Sequence, residues 1–278
     1  MSRRSLALIG ACVILTAGCS GFLGGGTPTS PTATTTPAPI PTDTATPDRS
    51  VRQIPGLTEH GVENPFALGR AHHAVLSNVS YTRRMTEISR FSNGSLRLNE
   101  TRINRVVPTD TTTYSIQHAT STFEGPVEPR YPFHPTAIRV ERYAAEQHHL
   151  RFTFPNGTTT VISFDRNSDG RTPTLELVVA AFDTQVAGRT PCGPHSCYRV
   201  RSTELGDPDH LERAVLLPEE WTVTDGTLFA LIDERGLVRE YRVRYTVATP
   251  NETYTAVRQV RYTALGETVV VKPGWVDE

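Results

Sequence analysis

Four groups of residues in this chain have types and spacings suited to chemistry. Thr16-Ala17-Gly18-Cys19, followed by Ser20, places two small residues before a cysteine. Small residues let a peptidase reach the backbone, and the thiol that then begins the mature chain can carry lipid; ordinary secretory cleavage with Cys19 left free is the alternative. Cys192 and Cys197 flank Gly-Pro-His-Ser. In an oxidising exterior they should form a disulfide. Loop closure over so short a ring contributes no more than about 2 to 3 kcal/mol. A redox pair with His195 stabilising a thiolate is the sharper alternative, although four residues separate the cysteines where such motifs have two. The third group, Asp165, Asn167, Asp169 and Glu176 around Gly170, sets oxygen ligands at positions one, three, five and twelve of a calcium loop. The same residues are ordinary turn formers, a strand-like run precedes them, and Pro173 stands inside the loop. The fourth group comprises His72-His73 and His148-His149. Neighbours do not face one another on a helix and point to opposite faces of a strand, so each pair offers a metal one ligand at most.

Elsewhere there is no G-x-S-x-G, no H-E-x-x-H, no phosphate-cradling glycine loop and no dinucleotide fingerprint. The expectation is a non-catalytic chain without a cofactor. Asn78, Asn93, Asn99, Asn156 and Asn251 each open a glycosylation signal, and several coincide with expected turns. With 28 basic and 29 acidic residues the formal charge is −1, so no whole-chain field draws in nucleic acid. Of the basic residues, Lys272 is the single lysine; the other 27 are arginines.

The elements that must carry these groups fall into three stretches. Arg3-Arg4 and the apolar run Leu6 to Ala17 compose a signal peptide over residues 1–18. Its twelve residues span only about 18 Å as a helix, short of a bilayer's roughly 30 Å hydrocarbon core. The paired arginines fit a twin-arginine export signal. Removing residues 1–18 leaves 26 basic against 29 acidic residues, or −3. Residues 19–50 then provide Cys19, a Gly24-Gly25-Gly26 hinge and a tract with nine Thr and six Pro between Thr27 and Asp48. Such a tract buries too little apolar surface to order, and is expected to be an extended stalk.

Residues 51–278 read as one domain. Helices are expected at 65–77, where Asn64-Pro65 supplies a cap and a first-turn proline, at 173–183 and at 207–215. The remainder alternates as strands at 79–91, 95–107, 112–121, 137–144, 148–154, 158–164, 184–190, 197–204 and 226–233, ending in the two runs 238–247 and 254–262. Asn93-Gly94, Asn156-Gly157, Arg235-Gly236 and Pro250-Asn251 are hairpin turns between them. In the last two strands Tyr241, Val243, Tyr245 and Val247, then Tyr254, Ala256, Val260 and Tyr262, share one face, with Arg258 as the exception. The fold class expected is mainly β within α+β: a strongly curved antiparallel sheet, an open half-barrel, wrapping two or three helices.

The opening residues 54–62, the run 68–76 with Ala71-His72, and Ser80-Tyr81-Thr82 resemble the start of a family of haloarchaeal surface lipoproteins of unknown function. Arg235-Gly236-Leu237-Val238-Arg239, Val243-Arg244-Tyr245-Thr246, Val260-Arg261-Tyr262-Thr263 and Lys272-Pro273-Gly274-Trp275 resemble its closing hairpins. The resemblance implies a sheet similar to the lipoprotein-carrier fold, an open half-barrel that in other members holds acyl chains, and it carries over no catalytic residue. The function expected is a lipid-anchored module on the extracytoplasmic face of the cell membrane, binding an apolar or lipid ligand. A structural or adhesive surface lipoprotein is the alternative, and the sequence leaves the oligomeric state open. The placement makes a prediction. Cys19→Ser should release the protein from the envelope fraction and alter its processed size; a variant sedimenting with the membrane as wild type does would refute the anchor.

Overall fold

Strict alternation over 238–247 builds a strand with one dry and one wet face. Tyr241, Val243, Tyr245 and Val247 are no more than 2% exposed, whereas Arg242 and Arg244 between them face solvent. The same period generates ten further strands in this computed structural model, which describes residues 54–109, 113–123, 137–165 and 174–277. Helix α1 (Pro65–Leu76) precedes a meander of β1 (Tyr81–Phe91), β2 (Leu96–Pro108), β3 (Thr113–Phe123), β4 (Arg139–Ala144), β5 (Gln147–Thr153) and β6 (Thr159–Asp165). Helix α2 (Thr174–Ala180) leads to β7 (Gln185–Cys192) and β8 (His195–Ser202). Helix α3 (Pro208–Val215) then precedes β9 (Thr222–Asp233), β10 (Val238–Ala248) and β11 (Thr253–Thr263), and one 3₁₀ turn spans Gly274–Val276.

The three expected helices and all eleven strands are present, so the mainly β, α+β class holds. The strands form one antiparallel sheet in the order β6-β5-β4-β3-β2-β1-β11-β10-β9-β8-β7, open at β6 and β7. Each meander is built from neighbours in sequence; the two are joined where the first strand pairs with the last. The expected signal peptide and stalk lie outside the described residues, which belong to one compact unit.

Local chemistry accounts for the element ends. Asn64 Oδ1 accepts the Ala67 N–H at 2.9 Å and Pro65 occupies the first turn, which starts α1. Asp207 and Pro208 repeat the device at α3. At the β9–β10 hairpin, Gly236 has φ +84°, and a Cβ there would meet Ala71 of α1 at 2.8 Å. Glycine therefore serves both the turn and the close approach of the helix. Most boundaries shift by one or two residues and α2 stops at Ala180 instead of 183; two shifts have a visible cause. β9 starts at Thr222 instead of 226 because Gly226 is a strand residue under the Phe182 ring, where a Cβ would lie 3.0 Å from Cε1. β7 runs on through Pro191 to Cys192, which an edge strand tolerates because its outer N–H groups have no ladder partner.

The main core joins Leu68 and Leu76 of α1, Val178 and Val179 of α2 and Leu211 of α3 to the inner faces of β1 and β7 to β11. A smaller cluster, Ala119, Ala137, Val140 and Phe152, lies on the β3–β5 wing. Between them the inner face is charged. Glu87 on β1 lies directly opposite both Arg258 on β11 and Glu100 on β2. Arg258 donates to Glu87 Oε2 from Nε at 2.8 Å, and its Nη2 lies 2.7 Å from the same oxygen, with Arg258 8% and Glu87 3% exposed. Glu100 is held by Arg102 at 2.9 and 3.1 Å. Burial alone would depress the Arg258 pKa; the Glu87 carboxylate outweighs it and drives the pKa upward.

Removing one partner of such a pair leaves an uncompensated buried charge. Arg258→Met or Glu87→Gln should each cost about 3 to 5 kcal/mol in urea denaturation, and joining Arg258→Met with Glu87→Leu should recover most of that loss. Additive single-site losses in the double variant would show that the pair does not act as a unit.

Candidate functional site

The helices do not fill the space over the sheet. A cavity of about 470 Å³ opens between α1 and the strands β1, β2, β10 and β11, and a second of about 490 Å³ lies under the end of α3 and the residues that follow it. Both are walled by Arg83 and Thr174, so they adjoin. Close-packed interiors hold few voids larger than one water molecule, while ligand pockets run from roughly 300 to 1,000 Å³. These volumes belong to the second class.

Arg83 points inward because it alternates with Met85 and Glu87 on β1, which are buried on the same face. Its cross-strand neighbours are Tyr262 on β11 and Asn104 on β2. The half-buried guanidinium interacts with the hydroxyls of Tyr241 and Tyr262. Desolvation pulls its pKa down, but the two tyrosines reverse the direction and raise it. Burial raises the pKa of Tyr262, so that hydroxyl stays protonated. Asn104 Oδ1 is buried without a hydrogen-bond partner. The second cavity adds Met85, Tyr245 and Tyr254 beside the Glu87–Arg258 pair. Its walls are thus apolar and charged in alternation, suited to an amphipathic occupant.

The histidine pairs separate as strand and helix geometry require. His72, fully buried on α1, accepts the Val238 N–H through Nδ1 at 3.2 Å and meets the Tyr262 ring edge-on at 4.8 Å. Burial, then the neighbouring His73, lowers its pKa to about 3. The ring is therefore neutral, with the proton on Nε2. His73 turns to α2, where its Nε2 lies 3.2 Å from Glu176 Oε1. His148 meets Arg142 at 2.9 Å on one side of β5, and His149 meets Ser163 at 2.8 Å on the other.

Glu176, the twelfth position of the calcium pattern, is buried on α2 against Gly69, where a Cβ would lie 2.2 Å from its Cγ. Burial pushes its pKa up, but the hydrogen bond from His73 prevails and lowers it. Asp165 ends β6, while Asn167 and Asp169 fall outside the described residues. Among the described residues no group of three His, Cys, Asp or Glu side chains is placed to hold a metal ion. Cys192 and Cys197 form the expected disulfide across the β7–β8 hairpin, with Cα atoms 5.7 Å apart. Asn78, Asn93, Asn99, Asn156 and Asn251 are all exposed. Cys19 lies outside the described residues, among which no helix is long and apolar enough to cross a membrane.

Sequence reasoning passed over Arg83, Asn104 and Glu87. The signal available was Arg258, a cation on an otherwise apolar face, which requires a buried acid somewhere in the chain.

No family model matches the chain, and no curated protein is significantly similar to it. Among solved structures, the complex of MucA and MucB from Pseudomonas aeruginosa contains a chain with 10% identity and a TM-score of 0.22, over 73% of this chain and 94% of that one. A porin-like protein from Bacteroides uniformis has 10% identity and a TM-score of 0.16, over 66% of this chain and 95% of that one. At those scores neither likeness bears on the fold or the function.

The neutral, buried His72 links stability to pH. The unfolded chain binds a proton near pH 6.5 that the folded chain refuses until about pH 3, so stability falls as pH drops through that window. The slope from this group is at most about 1.4 kcal/mol per pH unit. Carboxylates with lowered pKa values, such as Glu176 and Asp233, add to the loss only below about pH 4.5, near the ordinary carboxylate values. Urea unfolding at pH 7 and pH 5 should show a clear loss for wild type and a flatter dependence for His72→Asn, whose carboxamide oxygen can still accept from Val238. Equal slopes would remove His72 as the titrating group.

Proposed function

We propose that this chain is a surface lipoprotein, tethered through Cys19 to the extracytoplasmic face of the cell membrane, that binds an amphipathic ligand without catalysing a reaction on it. The observation that carries the reading is the pair of adjoining cavities between the helices and the sheet, which share Arg83 and Thr174. Their combined space accommodates an acyl chain, and each methylene buried there contributes about 0.8 kcal/mol of gross affinity. About ten such groups contribute roughly 8 kcal/mol, comparable with the roughly 4 to 15 kcal/mol that association costs in lost freedom. The sheet is proposed to curve around this space as the half-barrel of the lipoprotein-carrier fold does, in keeping with the family resemblance of the opening and closing residues.

The disulfide supports an exterior location, since such bonds persist in oxidising compartments. A lipidated Cys19 followed by a Thr- and Pro-rich stalk would hold the domain away from the bilayer yet within reach of its lipids. Exposure of all five Asn acceptors is compatible with glycans on that surface.

Full-length protein isolated from its own membranes should carry a co-purifying amphiphile near one equivalent, read by mass spectrometry of an organic extract. Thr174→Trp, which fills the junction of the cavities, should lower that yield several-fold without changing membrane attachment. A wild-type protein that brings no amphiphile above the level of an unrelated lipoprotein would leave the structural or adhesive reading in its place.

A further inference from the structure

We infer that Arg83 is a recognition residue for an anionic head group, so that the occupant of the two cavities is an anionic amphiphile bearing a carboxylate or a phosphate. The inference rests on the cavity reading above and adds the chemical class of the ligand. Its basis is a charge left without compensation at the place where the cavities meet.

The inward-facing arginines on the two strands beside Arg83 each have an acid. Arg258 on β11 is matched by Glu87, and Arg102 on β2 by Glu100. Arg235 and Arg239, at the end of the β9–β10 hairpin, share Asp233. Among the described residues Arg83 has no such partner: its contacts, the hydroxyls of Tyr241 and Tyr262, are neutral. The Glu176 carboxylate on the adjacent helix α2 is bound by His73, and Glu87, two positions along β1, is bound by Arg258. A guanidinium partly withdrawn from water but given only phenols is completed when an anion arrives.

The geometry suits that completion. Arg83 offers a planar fork of donors that matches carboxylate and phosphate oxygens. Tyr241 and Tyr262, which line the same cavity, have hydroxyls able to turn and donate to the anion. Asn104 stands opposite on β2 with its carboxamide oxygen unsatisfied; turned over, the same group presents its N–H donors. Since Arg83 walls both cavities, a head group held there leaves either space open to an apolar tail.

The test uses the full-length chain in nanodiscs of zwitterionic lipid, with empty discs subtracted. Two fluorescent probes, 11-(dansylamino)undecanoic acid and its methyl ester, differ only in head-group charge. Wild type should bind the acid at least tenfold more tightly than the ester. Arg83→Gln should reduce acid affinity to the level of the ester and leave the ester unchanged, while Arg83→Lys keeps part of the preference. Displacement of the acid by dodecyl phosphate or by dodecanoate then separates phosphate from carboxylate recognition, and stronger displacement by either is consistent with the inference. Equal binding of acid and ester by wild type, a comparison that needs no variant to fold, would overturn the anion site while sparing the cavity reading. A loss of both probes in Arg83→Gln would make Arg83 structural and overturn it likewise. Failure of wild type to bind either probe would reject both readings.

Discussion

The ion pair between Glu87 and Arg258 sits on the one seam that makes a single sheet out of two meanders. β1 and β11 are far apart in sequence, yet ten consecutive residues of β1 find partners on β11. Nothing about alternation alone selects that neighbour. A slip by one residue would turn Arg84 and Ile88 inward and expose Met85 and Glu87, because side-chain direction has a period of two. With the acid and the base opposite one another on the dry face, only the observed register satisfies both charges. Loss of the seam would open two further edges and separate the walls of the cavities.

The seam also explains why so many arginines are carried by strands. Glu87, Glu100, Glu141 and Asp233 are buried, and each is met by one or more guanidinium groups. A guanidinium offers several donors in a plane and is more weakly hydrated than an ammonium, so it is the cheaper cation to bring under a sheet. On the inner face of β1 and β2 such charges replace part of a hydrocarbon core, whereas Glu141 and its arginines lie on the opposite face of β4 and β5. The apolar stripe of β9 to β11, by contrast, packs against the helices within the main core.

Cavities persist between these two regimes because helices and charged rows cannot interdigitate as hydrocarbon side chains do. α1 is fixed at one end by the Asn64 cap, along its middle by the His72 acceptor for Val238, and against α2 by the Gly69 and Glu176 contact. Its position over Tyr262 is therefore set by three separate polar or steric contacts, and the space beside Arg83 is left open instead of collapsing. The chemistry proposed for that space follows from the same imbalance: in the row crossing β11, β1 and β2 at this level, tyrosine and asparagine stand where an acid would be required to neutralise the arginine.

What could be read from the residues in order is what neighbours along the chain decide. Asn-Gly turns, the Asn64-Pro65 and Asp207-Pro208 helix starts, the alternation of β10 and β11 and the Cys192–Cys197 bridge all depend on residues a few positions apart, where steric limits and side-chain reach act directly. The residues 222–225, which extend β9 beyond its expected start at Gly226, carry no such local signal. The pairing of β1 with β11, the partner of Arg258, the separation of His72 from His73 and the exposed void at Arg83 belong to the tertiary structure. Alternation specifies which face a side chain occupies, but it carries no record of which distant strand lies beside it. Charge balance under a sheet is settled by that neighbour.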